Sequence, residues 1–395
     1  MSGQFPTADK KAERRAFMTV LAIFSMGQIA GSIDAAIALI GQYFHLSSAM
    51  TMYVSSISAL ASVIVGLVIG VIAGRKVAYR NIVFFAGLCV LGGGLLPFFV
   101  RNYPVLLVLR AIYGMGFGGM MSLQNTFAAL TLPKEKQATA LGIGIFVGYG
   151  TNCILQFVGG LLADISWNFV FLNHILLLIP FFIILRCCPH VPGIPAQEGK
   201  EKEKRSAPPV IIIMCVLMAL VGLLISPLLI GCSFLSANIN PSATIAGVVA
   251  VCFSLGCMAG GMAYPVLFRK LGRYCFTCFL IIAAVGLFGS AKASNIPLLC
   301  VMTFLGGAGF SSTQAGAMMV TGMSVGHTSV AFFSAMIMAC FNLGMFLCSP
   351  FQAMVGKITG DSLYVPLFIG TVVYIICAVF FIIYNPLPRE KAAES

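Results

Sequence analysis

Two ionisable residues sit where an apolar chain can least accommodate them. Asp34 is the sole charge in the run 16–42, and Arg110 the sole charge in the run 103–132. A charge at the centre of a membrane helix costs about 2.5–3.5 kcal/mol on insertion scales, so such residues mark ion or substrate pathways. Asp34 falls about eight residues before the end of its run and Arg110 about seven after the start of its own. At a rise of 1.5 Å per residue both lie roughly 10–12 Å below the same membrane surface, where they can face each other. A carboxylate whose distance from a guanidinium changes between two protein states can load and release a proton. The pair therefore predicts proton coupling, with Asp34 as the carrier and Arg110 either tuning it or binding an anionic substrate directly. A static ion pair that fixes helix packing is the competing reading.

The elements that must hold this pair are set by composition. Of 395 residues, 59% are hydrophobic and 9% charged, and the mean hydropathy is +1.02. One soluble core cannot hide that much apolar surface. Apolar runs of about 20 residues or more, the length that crosses a hydrocarbon layer of roughly 30 Å, predict an all-α integral membrane protein. Breaking the chain at Gly, Pro and charge clusters gives twelve spans: 16–42, 50–73, 81–100, 103–132, 138–163, 167–187, 210–235, 243–268, 274–291, 297–323, 328–355 and 362–384. They divide into a bundle over 1–188, a linker over 189–209 with the charge run GKEKEKR, and a second bundle over 210–395.

The net charge of +12 is placed by topology. Lys and Arg crowd one side of the spans, and only Arg101, Lys292 and Lys357 fall on the other, which predicts both termini in the cytoplasm and argues against nucleic acid as a partner. The cysteines are scattered through apolar segments and predict no disulfide framework. Cys187, Cys188 and His190 sit together but lack a second ligand pair, so no metal site is expected. Among the polar groups inside spans, Asn152 and Gln156 share one helix face, Asn342 stands in the eleventh span, and His174 reads as a packing histidine.

The two bundles repeat each other. LRAIYGMGFGG from Leu109 aligns with VMTFLGGAGFSS from Val301, pairing Gly114, Gly116 and Phe117 with Gly307, Gly309 and Phe310. GVIAGRKVAYR from Gly70 aligns, at nearly the same offset, with PVLFRKLGRYC from Pro265, and each joins the second and third spans of its half. Duplication of a six-helix unit accounts for both.

These residues resemble the major facilitator superfamily. The loops resemble its Gly-x-x-x-Asp-Arg-x-Gly-Arg signature through Gly70, Arg75 and Arg80, and again through Lys270, Gly272 and Arg273, with Gly74 where the acid is expected. GLLADISWNFVFL from Gly160 is similar to the family pattern at the exit of the fifth helix, and its Trp167 reads as an interfacial anchor. SIDAAIALIG around Asp34 and LRAIYGMGFG around Arg110 are most like the drug:proton antiporter branch. The helix 5 motif of antiporters keeps Gly142, Gly159 and Gly160 but has Thr151 and Leu155 at glycine positions and Gln156 at the proline position.

The resemblance implies two pseudo-symmetric six-helix bundles, a cavity lined by the first, fourth, seventh and tenth helices, and gating by the two basic loops. Candidate substrate ligands are then Gln28, Gln124, Asn125, Asn152, Gln156, Thr303, Gln314 and Asn342. Ser226-Pro227 is expected to loosen the seventh helix. The function expected is proton-coupled efflux of a drug-like compound or metabolite. The alternatives are uptake or exchange of a small organic acid or sugar, and a sensor or scaffold on a transporter fold. A membrane enzyme would need clustered His, Asp, Ser or Cys, and the four histidines are dispersed. No nucleotide-binding loop occurs and no cofactor is implied. The expected partners are a small-molecule substrate, protons and membrane lipids, for a monomer in a bacterial inner membrane.

Overall fold

The computed structural model describes residues 10–73, 77–189, 208–325, 327–384 and 386. Its first half comprises α1 (Lys10–Gly27), α2 (Ile37–Phe44), α3 (Ser48–Ile72), α4 (Tyr79–Leu95), α5 (Tyr103–Thr131), α6 (Lys134–Ile165) and α7 (Leu178–Cys187). The second comprises α8 (Pro209–Leu229), α9 (Cys232–Ala237), α10 (Ala243–Leu271), α11 (Cys275–Lys292), α12 (Ile296–Ser324), α13 (His327–Thr359) and α14 (Tyr364–Ile383). These make twelve crossings, because α1 with α2 forms the first, a 3-10 helix (Trp167–Leu177) with α7 the sixth, and α8 with α9 the seventh. Large apolar side chains such as Ile64, Phe85, Ile179, Met262 and Ile383 point outward, as lipid requires.

The first crossing is not the continuous helix that its apolar run predicts. It unwinds over residues 28–33 and restarts through a 3-10 turn at Asp34–Ala36. The seventh behaves similarly: Ser226 Oγ bonds back to Gly222 O at 2.5 Å, Pro227 lies inside α8, and the helix breaks at Ile230 and Gly231. Broken helices near the midplane are tolerated in lipid only where other groups satisfy the freed backbone.

The repeat carries through to packing. Gly114 lies against the Ser58 backbone of α3, and its counterpart Gly307 against the Phe253 backbone of α10. Gly116 meets Ala86 and Val90 of α4, while Gly309 meets Phe279 and Ala283 of α11. The correspondence extends to helix starts. Asn102 caps α5 by accepting from Val105 N at 3.3 Å, and Asn295 caps α12 by accepting from Leu298 N at 2.9 Å, each followed by a proline in the first turn. We expect Gly307→Val to cost about 1–3 kcal/mol through this backbone contact. Gly142→Ala, at a glycine with open space around it, should stay within about 0.5 kcal/mol. Thermal melting in detergent separates the two.

Trp167, expected as an interfacial anchor, stands just past the end of α6. It is 7% exposed and packs among Tyr43, Phe44 and Phe171, with the Arg101 guanidinium 5.4 Å above its ring. Of the loop residues, Gly70 ends in the last turn of α3 and Arg75 lies outside the described residues. Arg80 sits over the Phe84 ring at 5.0 Å, Lys270 is exposed, Gly272 ends α10 at φ 52, and Arg273 bonds the Tyr274 hydroxyl at 2.7 Å. The positive φ accounts for glycine at 272. Glu13 and Lys136 form an ion pair that joins α1 to α6 at the basic end.

Candidate functional site

The unwound turn places Asp34 between the halves. Its carboxylate is 1% exposed and Oδ1 accepts from Ser55 Oγ of α3 at 2.9 Å. Gly31 makes this possible, since a Cβ there would stand 2.7 Å from Gln156 Nε2 and 2.8 Å from Asp34 Oδ2. The carboxylate faces a narrow cavity between the halves, with room for about one water molecule in this closed arrangement. The first half lines it with Ala30, Asp34, Ser55, Ser58, Ala59, Tyr113 and Phe117, and the second with Leu229, Ile230, Asn342 and Met345.

Arg110 lies behind this cavity, fully buried. Its Nε donates to Val54 O at 3.1 Å, its guanidinium stacks 4.0 Å over the Tyr113 ring, and its two terminal nitrogens have no hydrogen-bond partner. Asp34 and Arg110 thus share one buried cluster and feel each other's charge without closing into an ion pair. Burying a guanidinium this way is costly unless an acceptor meets it in some state of the protein.

The other candidate ligands divide by place. Gln28 Nε2 donates to Gln124 Oε1 at 3.3 Å, and Asn125 is exposed. Asn152 donates to Ser254 Oγ at 3.2 Å, and Ser254 donates to Gln156 Oε1 at 2.9 Å, so both amides bridge the halves. Thr303, the repeat counterpart of Arg110, bonds Leu299 O and Cys300 O of its own helix at 2.9 and 3.0 Å. Gln314 reaches Met338 Sδ at 3.2 Å. Asn342 lines the cavity while bonding Met338 O at 3.0 Å.

Nothing in the sequence singles out Ser55, Ser58 and Tyr113, which line the cavity, or Asp164. Tyr113 stood inside the motif around Arg110, but a tyrosine between two glycine-packed turns gives no one-dimensional sign of facing a cavity. Asp164 ends α6 and receives four hydrogen bonds from the start of α10: Ala243 N at 2.6 Å, Thr244 N at 3.0 Å, Ser242 Oγ at 2.9 Å and Thr244 Oγ1 at 2.5 Å. Further bonds join the halves at the same end, opposite the basic loops and here termed outer. Ser48 meets Ser362 at 2.7 Å, Ser56 meets Ser349 at 2.8 Å, and Ala38 N donates to Ser233 Oγ at 3.1 Å. The outer end is closed over the cavity.

The fold and sequence have known counterparts. Among solved structures, a point mutant of the nucleoside transporter NupG superposes with a TM-score of 0.75 at 14% identity, covering 93% of this chain and 99% of that one. The inward-open xylose transporter XylE from E. coli superposes at 0.74 and 13% identity, covering 95% and 97%. In sequence, the uncharacterized MFS-type transporter YfiU of Bacillus subtilis is 25% identical over 188 residues, 44% of this chain and 35% of YfiU. Vacuolar basic amino acid transporter 2 of Saccharomyces cerevisiae is 29% identical over 97 residues, 24% of this chain and 20% of that protein. The alignments span about a third or less of these curated relatives. The Major Facilitator Superfamily matches residues 17–234 and, separately, 211–395, so both bundles are covered. With twelve crossings in two repeated halves and a roofed cavity between them, this chain belongs to the major facilitator superfamily, whose members are membrane transporters and not enzymes.

Proposed function

We propose that this transporter exports a small, largely apolar compound, a drug-like molecule or a metabolite, in exchange for protons. The observation that carries the reading is Asp34: a fully buried carboxylate facing a cavity between the halves, beside a cation it does not bond. Protonation lets it tolerate burial, and closure onto Arg110 stabilises its ionised form, so a change of separation between the two states couples proton release to the cycle. The apolar share of the lining, with Phe117, Leu229, Ile230 and Met345, suits a lipophilic solute. The bundles 1–188 and 210–395 act as the rocking bodies, with the loops at Gly70, Arg75 and Arg80 and at Lys270, Gly272 and Arg273 gating the basic end. The chain works as a monomer in a bacterial inner membrane with both termini inside.

A second reading, uptake or exchange of a small organic acid, draws on the two unpartnered nitrogens of Arg110. One experiment decides between them. A thermal-shift panel of lipophilic amines, organic acids and sugars identifies a binder. Its flux is then followed in right-side-out and inverted vesicles under an imposed pH gradient, with a pH dye inside. Export by exchange predicts accumulation in acid-loaded inverted vesicles with alkalinisation of the lumen. Solute and protons entering together would establish symport, and flux indifferent to the gradient would end proton coupling.

A further inference from the structure

The unwound turn that aims Asp34 is held by side chains from other helices. Its Ile29 carbonyl accepts from the Tyr113 hydroxyl at 2.7 Å, and its Ser32 carbonyl accepts from Asn173 Nδ2 at 2.7 Å. Ser32 Oγ lies 3.2 Å from the Tyr113 hydroxyl and 3.1 Å from His174 Nε2. His174 Nδ1 faces Phe171 O at 3.1 Å, which assigns the ring proton to Nδ1 and leaves Nε2 to accept from Ser32. Tyr113 is distinct within this set because it serves both partners. Its hydroxyl grips the turn, and its ring carries the Arg110 guanidinium at 4.0 Å. Its side chain is fully buried, and its backbone packs closely against Gly93 of α4.

We infer that Tyr113 is a positioning residue for the proton-carrying carboxylate: it ties Arg110 to the turn from which Asp34 projects and so fixes the separation of the two charges in this outward-closed state. The inference rests on the proposed role of Asp34. The hydroxyl adds a second, shorter hydrogen bond to a carbonyl whose only backbone bond within the turn, from Ser32 N, is 3.2 Å long. The ring face is an attractive seat for a guanidinium that has no acceptor at its terminal nitrogens. Cutting the hydroxyl bond frees the turn to drift relative to Arg110, and the charge–charge interaction changes with distance. The titratable groups around Asp34 are Arg110 and Tyr113 on α5, His174 ahead of α7 and Cys232 on α9, while α3 and α6 face it with Ser55 and Gln156.

The test needs only protons as ligand. The full chain in lipid nanodiscs is titrated by infrared difference spectroscopy between about pH 4 and 10, a window that spans ordinary and strongly perturbed carboxyls. Subtracting the Asp34→Asn spectrum isolates the carbonyl stretch of protonated Asp34. Tyr113→Phe, which keeps the ring and removes the hydroxyl, should displace that titration by about one pH unit or more, tenfold in proton affinity. Ser32→Ala, which leaves the Ile29 bond and the stacked guanidinium intact, should stay within about 0.3 of wild type on the same scale. A Tyr113→Phe profile that superimposes on wild type overturns the positioning role, as does an equal displacement by Ser32→Ala. Absence of any titrating band in the subtraction overturns the carrier role of Asp34 and the inference with it. Should Tyr113→Phe not fold, Tyr113→3-fluorotyrosine, which alters the hydroxyl as a donor at nearly constant shape, is judged by the same displacement.

Discussion

Asp34→Asn is expected to abolish proton-coupled flux while leaving a folded protein. Coupled transport should fall at least ~100-fold, the scale on which loss of a single proton-transferring group acts. The fold should lose no more than about 1 kcal/mol, because the amide oxygen can still accept from Ser55 Oγ and no ion pair with Arg110 is broken. Solute exchange without a pH gradient should persist, since the cavity keeps its shape. The measurement is paired: gradient-driven flux and solute counterflow on the same vesicle preparation, with size-exclusion elution as the check on folding. Unchanged gradient-driven flux would remove Asp34 from the mechanism. Equal loss of counterflow would make it a substrate ligand or a structural group instead.

The second large effect is expected at Asp164, 130 residues along the chain and at the outer end of α6. A transporter that opens outward must part its halves there, and this carboxylate is the most heavily bonded contact between them. It also places negative charge on the N-terminus of α10, where the helix dipole favours it. Hydrogen bonds to charged groups contribute about 1.5–3 kcal/mol each when protected, and less at an exposed position such as this. Asp164→Ala should therefore weaken the closed state by about 2 kcal/mol, roughly 30-fold in the ratio of closed to open. Hydrogen–deuterium exchange in nanodiscs reads this out. Faster exchange at 242–245 alone would mean only a lost helix cap. Opening of the face requires faster exchange around Ser48 and Ser362 as well, where a second bridge spans the halves. Wild-type exchange at both would show that the contact does not hold the outer end shut.

The polar contacts at this end explain how a closed face can still open. Ser48 with Ser362, Ser56 with Ser349 and Ala38 with Ser233 are single neutral bonds, each worth about 0.5–1.5 kcal/mol net. Beneath them the glycines permit close crossing without interlocking side chains: Gly160 meets the Ala243 backbone and Gly247 the Gln156 backbone. Apolar contacts cross here as well, with Ile33, Ile37, Ile40 and Met52 in one cluster with Leu228, Ile230 and Leu235, so opening also parts that shared core.

The sequence alone determined the membrane class, the twelve crossings and the two-fold repeat. These are properties of apolar run length and of punctuation, and both are written locally. A glycine that packs backbone to backbone cannot be replaced cheaply, so Gly114 with Gly307 and Gly116 with Gly309 kept their register in both halves and met equivalent partners. The two charges were legible for a related reason, since lipid makes any charge in a span conspicuous. Only the tertiary structure decided how they meet. The break over 28–33 was invisible to hydropathy because the run stays apolar, and its carbonyls accept hydrogen bonds from Tyr113 and Asn173, residues distant in sequence. Likewise Asp164 looked like an ordinary acid at a span's end until folding brought the first turn of α10 against it. Cost of burial is a property of one residue and can be read along a chain, whereas satisfaction of a polar group depends on which helix arrives beside it.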